Sequence, residues 1–513
     1  MQRKLFTTIL LMILVVLVGC SSTTSATQTT LDFTYHLTKE ELDEKLSTAK
    51  IGVLTGGIDE IYIREDYPDA DVYAFSTNTD ILAALDANKI DYGVLAEAQA
   101  SRSIEENNYK YEYCDSFLYS NHVCVALTKG NDELVSKLNE CIEELRNDGT
   151  IDALNEKWCI DSDYTPSDIP EVTNEDAPVL RVAVDIASEP YSFLYNGKIT
   201  GFDCEVIERV AYMLNMRIEY QTMSFGSVIP SIVSGKSDIA LGLVDTEERK
   251  KEVDFTVPYF LGDLVAVSKR ENVVTPSFFD NLSKNFTGTF ITENRWQLFV
   301  SGIGVTIIIS ICSFILATII GALLCLMLIS KNKALNKIAS TYSKIATGIP
   351  ILVWLMILYY IIFKSIDISG IVVAIITFSL QTGAYLSSIF KTGIDSIDKG
   401  QEEAAKSLGF NDMQIFTKII LPQAALNIFD LYEGEFVSLV KTTSIVGYIA
   451  INDLTKVSDI VRSRTYQAFF PLVATAIIYF IVTYIFIILL NLLRKKMNPK
   501  LRKTILKGVK VND

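Results

Sequence analysis

Histidine is almost absent from this 513-residue chain, and the common metal- and nucleotide-binding motifs are missing. The only histidines are His36 and His122, and no two cysteines are spaced as Cys-x-x-Cys. Zinc sites of the usual kind and a histidine-dependent catalytic triad are therefore poorly supported. A Gly-Lys-Ser sequence at 235–237 lacks the first glycine of a phosphate-binding loop, since Pro230 stands there. No such loop occurs elsewhere, so we expect no enzymatic ATP hydrolysis and no cofactor bound by this chain.

Positive charge is scarce before residue 300. Residues 20–299 carry 23 Lys and Arg against 49 Asp and Glu, a net charge of −26, whereas residues 300–513 carry 21 against 12, a net charge of +9. Because an acidic segment repels phosphates, we expect no nucleic-acid partner. A mean hydropathy of +0.29 is too apolar for a wholly soluble chain. The composition therefore predicts an acidic soluble half followed by a basic membrane half.

Charged residues are absent from four long runs of the second half, which are 301–330, 345–363, 368–390 and 465–493. Each is about as long as the ~20 residues that cross a bilayer core. A fifth segment, 424–450, is also apolar but carries four charged residues, Asp430, Glu433, Glu435 and Lys441. Hydropathy alone therefore leaves this fifth segment marginal.

Basic residues follow the first, third and last of these runs, at Lys331 to Lys337, at Lys391 and Lys399, and at Arg494 to Lys496. Such basic ends face the cytoplasm. This alternation requires that 424–450 also crosses the membrane, which gives five spans. The acidic half then lies outside the cell, next to a bacterial cytoplasmic membrane.

The N-terminus has the features of a secretory signal. Arg3 and Lys4 precede an apolar stretch, which ends in Leu-Val-Gly-Cys at Cys20 and resembles a bacterial lipobox. We expect a signal peptide at 1–20, lipid attachment at Cys20 and a tether at 21–35. The alternative is an uncleaved signal anchor with a coincidental cysteine. Farther along, Cys141 and Cys159 either form a disulfide or remain buried free thiols.

Residues 179–270 carry short apolar strands that alternate with helical patterns. The ordered motifs are Leu180-Arg181-Val182-Ala183-Val184, Glu189-Pro190-Tyr191, Gly201-Phe202-Asp203, Ser234-Gly235-Lys236, Asp238-Ile239-Ala240, Glu248-Arg249-Lys250 and Pro258-Tyr259. Their succession resembles the first lobe of the polar amino acid binding proteins of ABC importers.

The earlier segment, 36–160, resembles the second lobe and C-terminal helices of the same proteins. It carries Lys50-Ile51-Gly52-Val53, Thr55-Gly56-Gly57, Asp91-Tyr92-Gly93-Val94 and Lys157-Trp158 in that order. In the family this part follows the first lobe, whereas here it precedes it. The order predicts a circular permutation, with the original termini joined by the linker 161–178. The alternative is two decayed tandem domains.

The resemblance also implies ligand-binding residues. An amino acid zwitterion needs a cation for its carboxylate and an anion for its ammonium group. Arg249 matches the carboxylate-binding arginine and Glu97 the ammonium-binding acid; the matched lining positions are Phe225, Gly242 and Thr55. Val244, Ser188 and the glutamate at 97 depart from the usual residues, which leaves the identity of the amino acid open. The alternative for Arg249 and Glu97 is a solvated surface charge.

The predicted permease, 301–495, follows a linker at 271–300 and precedes a cytoplasmic tail at 496–513. Its loop 397–422 resembles the EAA loop of ABC importer permeases through Glu403, Ala404, Ala405, Gly409, Leu421 and Pro422. The resemblance implies docking to a separate ABC ATPase that binds ATP, and pairing with a second permease copy, with a homodimer expected. The predicted pathway residues are Gln381, Glu435 and Lys441, because charged and polar groups at membrane depth are costly.

Together these patterns predict an α/β two-lobed periplasmic-binding-protein-like clamshell followed by an all-α five-helix transmembrane permease. We expect a substrate-binding and permease subunit that imports a polar amino acid. The alternative is an amino-acid-sensing receptor or a ligand-gated channel. In such receptors a pore segment separates the two lobes, whereas here all spans follow both lobes.

Overall fold

The computed structural model describes residues 33–107, 109–161, 165–270, 278–364, 366 and 368–497. The predicted signal peptide, Cys20, most of the tether and nearly all of the cytoplasmic tail lie outside the described residues. The chain divides into two compact units. The first is Met1–Gly302 with Gly447–Ala474, and the second is Ile303–Val446 with Thr475–Asp513.

All strands of the described residues belong to the first unit. They are β1 (Thr34–Tyr35), β2 (Lys50–Leu54), β3 (Asp71–Phe75), β4 (Tyr92–Ala96), β5 (Tyr111–Cys114), β6 (Tyr119–Thr128), β7 (Val179–Val184), β8 (Ala187–Ser188), β9 (Ser192–Tyr195), β10 (Lys198–Thr200), β11 (Arg217–Thr222), β12 (Ile239–Val244), β13 (Val253–Phe255) and β14 (Phe260–Lys269). Eleven of them form one sheet, whose main path is β11-β7-β12-β6-β14-β4-β2-β3.

The helices before the first long apolar helix are α1 (Lys39–Leu46), α2 (Ile58–Asp66), α3 (Asn78–Asp86), α4 (Glu97–Glu106), α5 (Asp132–Asn147), α6 (Thr150–Asn155), α7 (Phe202–Met213), α8 (Val228–Val233) and α9 (Phe278–Phe286). The later helices are α10 (Trp296–Ile329), α11 (Lys333–Gly348), α12 (Ile351–Met356), α13 (Gly370–Asp395), α14 (Lys399–Ser407), α15 (Asp412–Ile415), α16 (Leu421–Asn427), α17 (Phe429–Thr442), α18 (Leu454–Thr465) and α19 (Phe469–Met497).

The first unit contains two lobes that share the sheet. We call residues 33–118 with 264–270 lobe A, and residues 123–260 lobe B. The two ten-residue strands β6 and β14 pair antiparallel to each other, and each continues into a different lobe. Farther along, β6 pairs with β12 in lobe B, while β14 pairs with β4 in lobe A. The chain thus passes between the lobes on these two strands.

The core of lobe B is assembled from both sequence segments. Trp158 is completely buried and packs edge-on against Phe193, with the ring centroids 5.6 Å apart. Leu138, Ile142 and Leu154 belong to the same buried cluster as the strand residues of 179–244. Helices α5 and α6, although they precede the linker, therefore cover the sheet formed mainly by residues that follow it. Such apolar burial on both faces is typical of parallel strands.

Cys141 and Cys159 do not form the disulfide that the sequence allowed. Both are free thiols, as are the other cysteines of the described residues. Cys141 is buried within the lobe B cluster, and Cys159 packs against that cluster. They serve as small apolar side chains there.

Residues 447–474 lie between two helices of the second unit in sequence, yet they pack with the lobes of the first. Ile460 on α18 belongs to the lobe B core, whereas Tyr466 belongs to a buried cluster of lobe A. Helix α18 and the residue that directly follows it therefore contact both lobes.

The second unit is helical. Three helices, α10, α13 and α19, are each long and apolar enough to cross a membrane, and two further helix pairs qualify if each bent pair is counted as one span. Residues 345–363, expected as one span, are interrupted where α11 ends, with a bend of 102°. Pro350 explains the break, because it cannot donate a backbone hydrogen bond and it favours an extended residue before it. Ile349 accordingly has φ −106° and ψ 133°.

Candidate binding cleft and permease surfaces

A cleft of about 890 Å³, part of it open to solvent, lies between lobe A and lobe B. Lobe A contributes Leu54, Gly57, Ile58, Asp59, Asn78, Val94, Leu95, Ala96, Gln99 and Leu264; lobe B contributes Val123, Asp185, Ser188, Tyr191, Ser192, Asp203, Phe225, Leu241, Gly242, Val244 and Phe260; and the crossing strands between the lobes contribute Asn121 and Gly262. The lining is mainly apolar, with a few polar groups directed into the cleft.

The cleft lies at the carboxyl ends of parallel strands. In lobe A, β2 pairs parallel with β4, and in lobe B, β7 pairs parallel with β12. Open α/β sheets bind ligands at this edge. Leu54 and Ala96 end their strands in lobe A, and Val244 ends its strand in lobe B, so three strand ends meet the same cavity.

Four of the predicted ligand-binding residues line the cleft, namely Phe225, Gly242, Val244 and Ser188. Gly242 has φ +73°, which favours glycine, and a β-carbon there would lie 3.2 Å from Oδ2 of Asp203. Glycine at 242 thus keeps the backbone close to the cavity and to Asp203.

Arg249 is buried at the rim and joins the two lobes. Its Nη1 donates to the carbonyl oxygen of Val244 at 3.0 Å, and its Nη2 donates to the carbonyl oxygen of Gly56 at 2.8 Å. Burial lowers the pKa of Arg249 from its ordinary value, and the charge of Asp59 opposes that shift. Arg249 is not part of the cavity lining described above, but its acceptor Val244 lines the cavity in lobe B and its acceptor Gly56 adjoins the lining residue Gly57 in lobe A. The solvated-charge alternative is not supported, because the side chain is enclosed.

Glu97 and Thr55 lie near the cleft but outside its described lining. Glu97 begins α4, is half-buried, and accepts a hydrogen bond from the Tyr113 hydroxyl at 3.2 Å. Burial raises the pKa of Glu97 from its ordinary value. Thr55 is exposed, and its backbone N–H donates to Phe75 at 2.8 Å.

Three carboxylates that the sequence reasoning did not select line the cavity: Asp59, Asp185 and Asp203. Burial raises the pKa of Asp59 and of Asp203 to about 7, against ordinary values near 3.8. The backbone N–H of Leu54 donates to Asp59 at 2.6 Å. Oδ1 of Asp203 is buried without a hydrogen-bond partner among the described residues. The signal that could have identified Asp185 is its position directly after β7, at the carboxyl edge of the sheet.

A second polar pocket lies within the permease unit, and it brings together two of the predicted pathway residues. Gln381 and Glu435 both line it, beside the broken end of α11. Nε2 of Gln381 donates to the carbonyl oxygens of Ala346 at 3.0 Å and Ile349 at 2.9 Å. Gln381 thus stabilises carbonyl groups released by the helix break. Lys441 lies on an exposed face of α17 and outside this pocket.

The predicted EAA loop forms α14, α15 and α16. Glu403 and Ala404 are exposed on α14, whereas Ala405 is buried. Gly409 has φ +82° and donates its N–H to the carbonyl oxygen of Lys406 at 2.9 Å, which ends α14 in a left-handed cap. Leu421 and Pro422 begin α16.

Large apolar side chains are exposed on the same loop. Leu408 is 78% exposed, Met413 70% and Leu421 45%. The loop therefore presents apolar surface together with the exposed charge of Glu403, which is the composition of a protein-docking surface.

Comparison with known proteins agrees with this division. Residues 313–503 match the binding-protein-dependent transport system inner membrane component family, and residues 23–161 match the bacterial extracellular solute-binding proteins, family 3. GlnP of Rickettsia typhi, whose name refers to a glutamine transport system permease, is 38% identical over 202 residues, covering 39% of this chain and 92% of GlnP.

ArtQ of Bacillus subtilis, named as an arginine transport system permease, is 31% identical over 205 residues, covering 40% of this chain and 92% of ArtQ. A solved amino acid ABC transporter with histidines is 30% identical with a TM-score of 0.38, covering 44% of this chain and all of that one. The family matches and the permease relatives favour an importer over a receptor or channel. The chain therefore belongs to the amino acid ABC transporter permease family, and it is an importer subunit that fuses a family 3 solute-binding domain to a permease domain.

Proposed function

We propose that the cleft between lobe A and lobe B captures a polar amino acid outside the cell and that the permease unit carries it inward. A separate ATPase drives this transport, and a second permease copy completes the pathway. The observation that carries the proposal is the cavity shared by the two lobes, with the buried Arg249 at its rim and carboxylates in its wall.

The charges suit a zwitterion. The guanidinium of Arg249 has five N–H donors, of which the bonds to Val244 and Gly56 use two. A substrate carboxylate at the rim would form a charge-assisted contact with this group. Asp203 offers a buried, unpartnered oxygen to the ammonium group. The names of GlnP and ArtQ refer to glutamine and arginine, which supports a polar amino acid as the substrate class.

The contacts of 447–474 support the proposed orientation. This segment packs with the lobes, so it lies on the same side of the membrane as they do. The chain must then cross the membrane an even number of times from the start of α10, which is the first crossing, to residue 447. Four crossings satisfy this condition only if the charged segment 424–450 spans the membrane. Basic residues after the first, third and fifth spans then face the cytoplasm, and the lobes face outward.

The exposed EAA loop supports a separate ATPase partner. After three crossings this loop lies on the side opposite the lobes, where an ATPase would have access to ATP. Leu408 and Met413 provide apolar contact area, and Glu403 provides a charge. Such a rigid protrusion can transmit movement from one subunit to another.

The test is a thermal-unfolding screen of the full chain in detergent against the twenty common amino acids and cystine. A ligand at one hundred times its dissociation constant stabilises the folded state by about 2.7 kcal/mol. We expect a polar amino acid to raise the melting temperature of the wild type and to have no effect on Arg249→Ala. Absence of stabilisation by every compound would overturn the proposal.

A further inference from the structure

Lys456, in the segment that packs on the lobes, forms an ion pair with a residue of the proposed amino acid cleft. Its Nζ lies 3.8 Å from Oδ1 of Asp185, and the two side chains are only 9% and 8% exposed. Asp185 lines the cleft. Lys456 does not line it and belongs to α18. A residue that lies between the last two predicted spans in sequence thus pairs with a carboxylate of the cleft.

The Asp185 carboxylate is fixed in place by its own surroundings. The N–H of Ala187 donates to Oδ1 at 3.1 Å, and the N–H of Phe225 donates to Oδ2 at 3.2 Å. A carboxylate has about four acceptor positions, so these two bonds leave room for a cation. A buried charge requires a partner, and Lys456 supplies it.

Helix α18 is held against both lobes by other contacts, which fix the position of Lys456. Arg462 is paired with Asp80 of lobe A, and Arg464 is paired with Glu189 of lobe B. Nearby, the hydroxyl of Thr222 donates to Oδ1 of Asn452 at 3.2 Å.

We infer that Lys456 is a specificity-determining residue of the amino acid site, because its ammonium group neutralises Asp185 and so favours neutral over cationic substrate side chains. This inference rests on the proposed function and narrows its substrate class. A substrate with a lysine- or arginine-type side chain near Asp185 would have to displace Lys456 or place its positive charge close to that of Lys456. Repulsion between like charges disfavours binding of such a substrate.

The rest of the lining agrees with a neutral polar substrate. Asn78, Gln99 and Asn121 are uncharged amides in the cavity wall, and Nδ2 of Asn78 donates to Oε1 of Gln99 at 2.8 Å. Amide groups both donate and accept hydrogen bonds, as the side chain of a neutral polar amino acid does. Of the two other acids in the wall, Asp59 interacts electrostatically with Arg249, and Asp203 remains for the substrate ammonium.

The experiment is calorimetric titration of the full chain in detergent with glutamine and with arginine as probes. In Lys456→Met, we expect the ratio of arginine affinity to glutamine affinity to rise at least tenfold. Lys456→Arg, which keeps the positive charge, should retain the wild-type preference. Lys137→Met, an exposed lysine of α5 paired with Glu133, is the matched control and should bind as the wild type does.

Asp185→Asn provides an independent test should Lys456→Met not fold. It leaves the Lys456 charge unbalanced, so the arginine-to-glutamine ratio should fall at least tenfold below that of the wild type. A ratio within twofold of the wild type in either folded variant would overturn the role of Lys456. A wild type that binds no amino acid would instead overturn the proposed function itself.

Discussion

The guanidinium of Arg249 donates a hydrogen bond to the carbonyl oxygen of Gly56 at 2.8 Å, although 193 residues separate them in the chain. Arg249 belongs to lobe B and Gly56 to the turn after β2 in lobe A. The same guanidinium also contacts Val244 of its own lobe. One side chain therefore connects the two sequence segments at the rim of their shared cleft.

Replacement of Arg249 by alanine should abolish amino acid binding while the fold persists. Loss of a desolvated, charge-assisted contact costs ~2–5 kcal/mol, a loss of affinity from about thirtyfold to several-thousandfold. Calorimetry measures the effect, with the exposed Lys251→Ala as control. A change below about threefold would remove Arg249 from the site.

Trp158→Ala should destabilise lobe B, because Trp158 fills the core against Phe193 from the other segment. Truncation of a buried tryptophan costs about 3–5 kcal/mol. Thermal unfolding followed by circular dichroism should show a midpoint lowered by about 6 °C or more. Ile160→Ala, at a position 69% exposed, should leave the midpoint nearly unchanged. Equal effects of the two variants would contradict the shared core.

Stability should depend on pH through Asp203. Burial raises its pKa from 3.8 to about 7, so the folded state binds a proton more tightly than the unfolded state. This contribution is fully present below pH 3.8 and is lost as the pH rises through about 7. Asp203→Asn should therefore be more stable than the wild type at pH 8. At pH 4 the two proteins should be about equally stable. Melting temperatures at both pH values provide the measurement, and an equal shift at the two would argue against this titration.

Charge reversal in the EAA loop, Glu403→Lys, should leave ligand binding intact and eliminate ATP-driven uptake. Glu403 is exposed on α14, beside the exposed Leu408. Uptake by cells expressing the variant is compared with that of Lys337→Glu, an exposed charge reversal on α11. Normal uptake by the Glu403 variant would remove this loop from the coupling contact.

Much of the cleft follows from the sequence because its residues come from short, ordered motifs. Phe225, Gly242 and Val244 were assigned from the resemblance to the polar amino acid binding proteins, and all three line the cavity. Asp203 was part of a quoted motif but was not selected, because the sequence does not reveal that its carboxylate is directed into the cleft. Thr55 was assigned from the same resemblance, yet its side chain is exposed.

The docking of α18 had no counterpart in the sequence analysis. Arg462 and Asp80 are 382 residues apart, and the residues between the predicted spans 424–450 and 465–493 were given no role. Local patterns define helices and spans, but they do not specify which distant surfaces those helices contact. The break at Pro350 was not predicted, because 345–363 was expected to be one span, and its 102° angle depends on packing.

The most direct test of the central claim is the stoichiometry of amino acid binding to the full chain. One cleft built from both segments predicts one amino acid per chain. Binding should be lost in Arg249→Ala, from lobe B, and also in Asn78→Trp, which fills the cavity from lobe A. Two bound amino acids per chain, or binding that survives both substitutions, would contradict a single shared cleft.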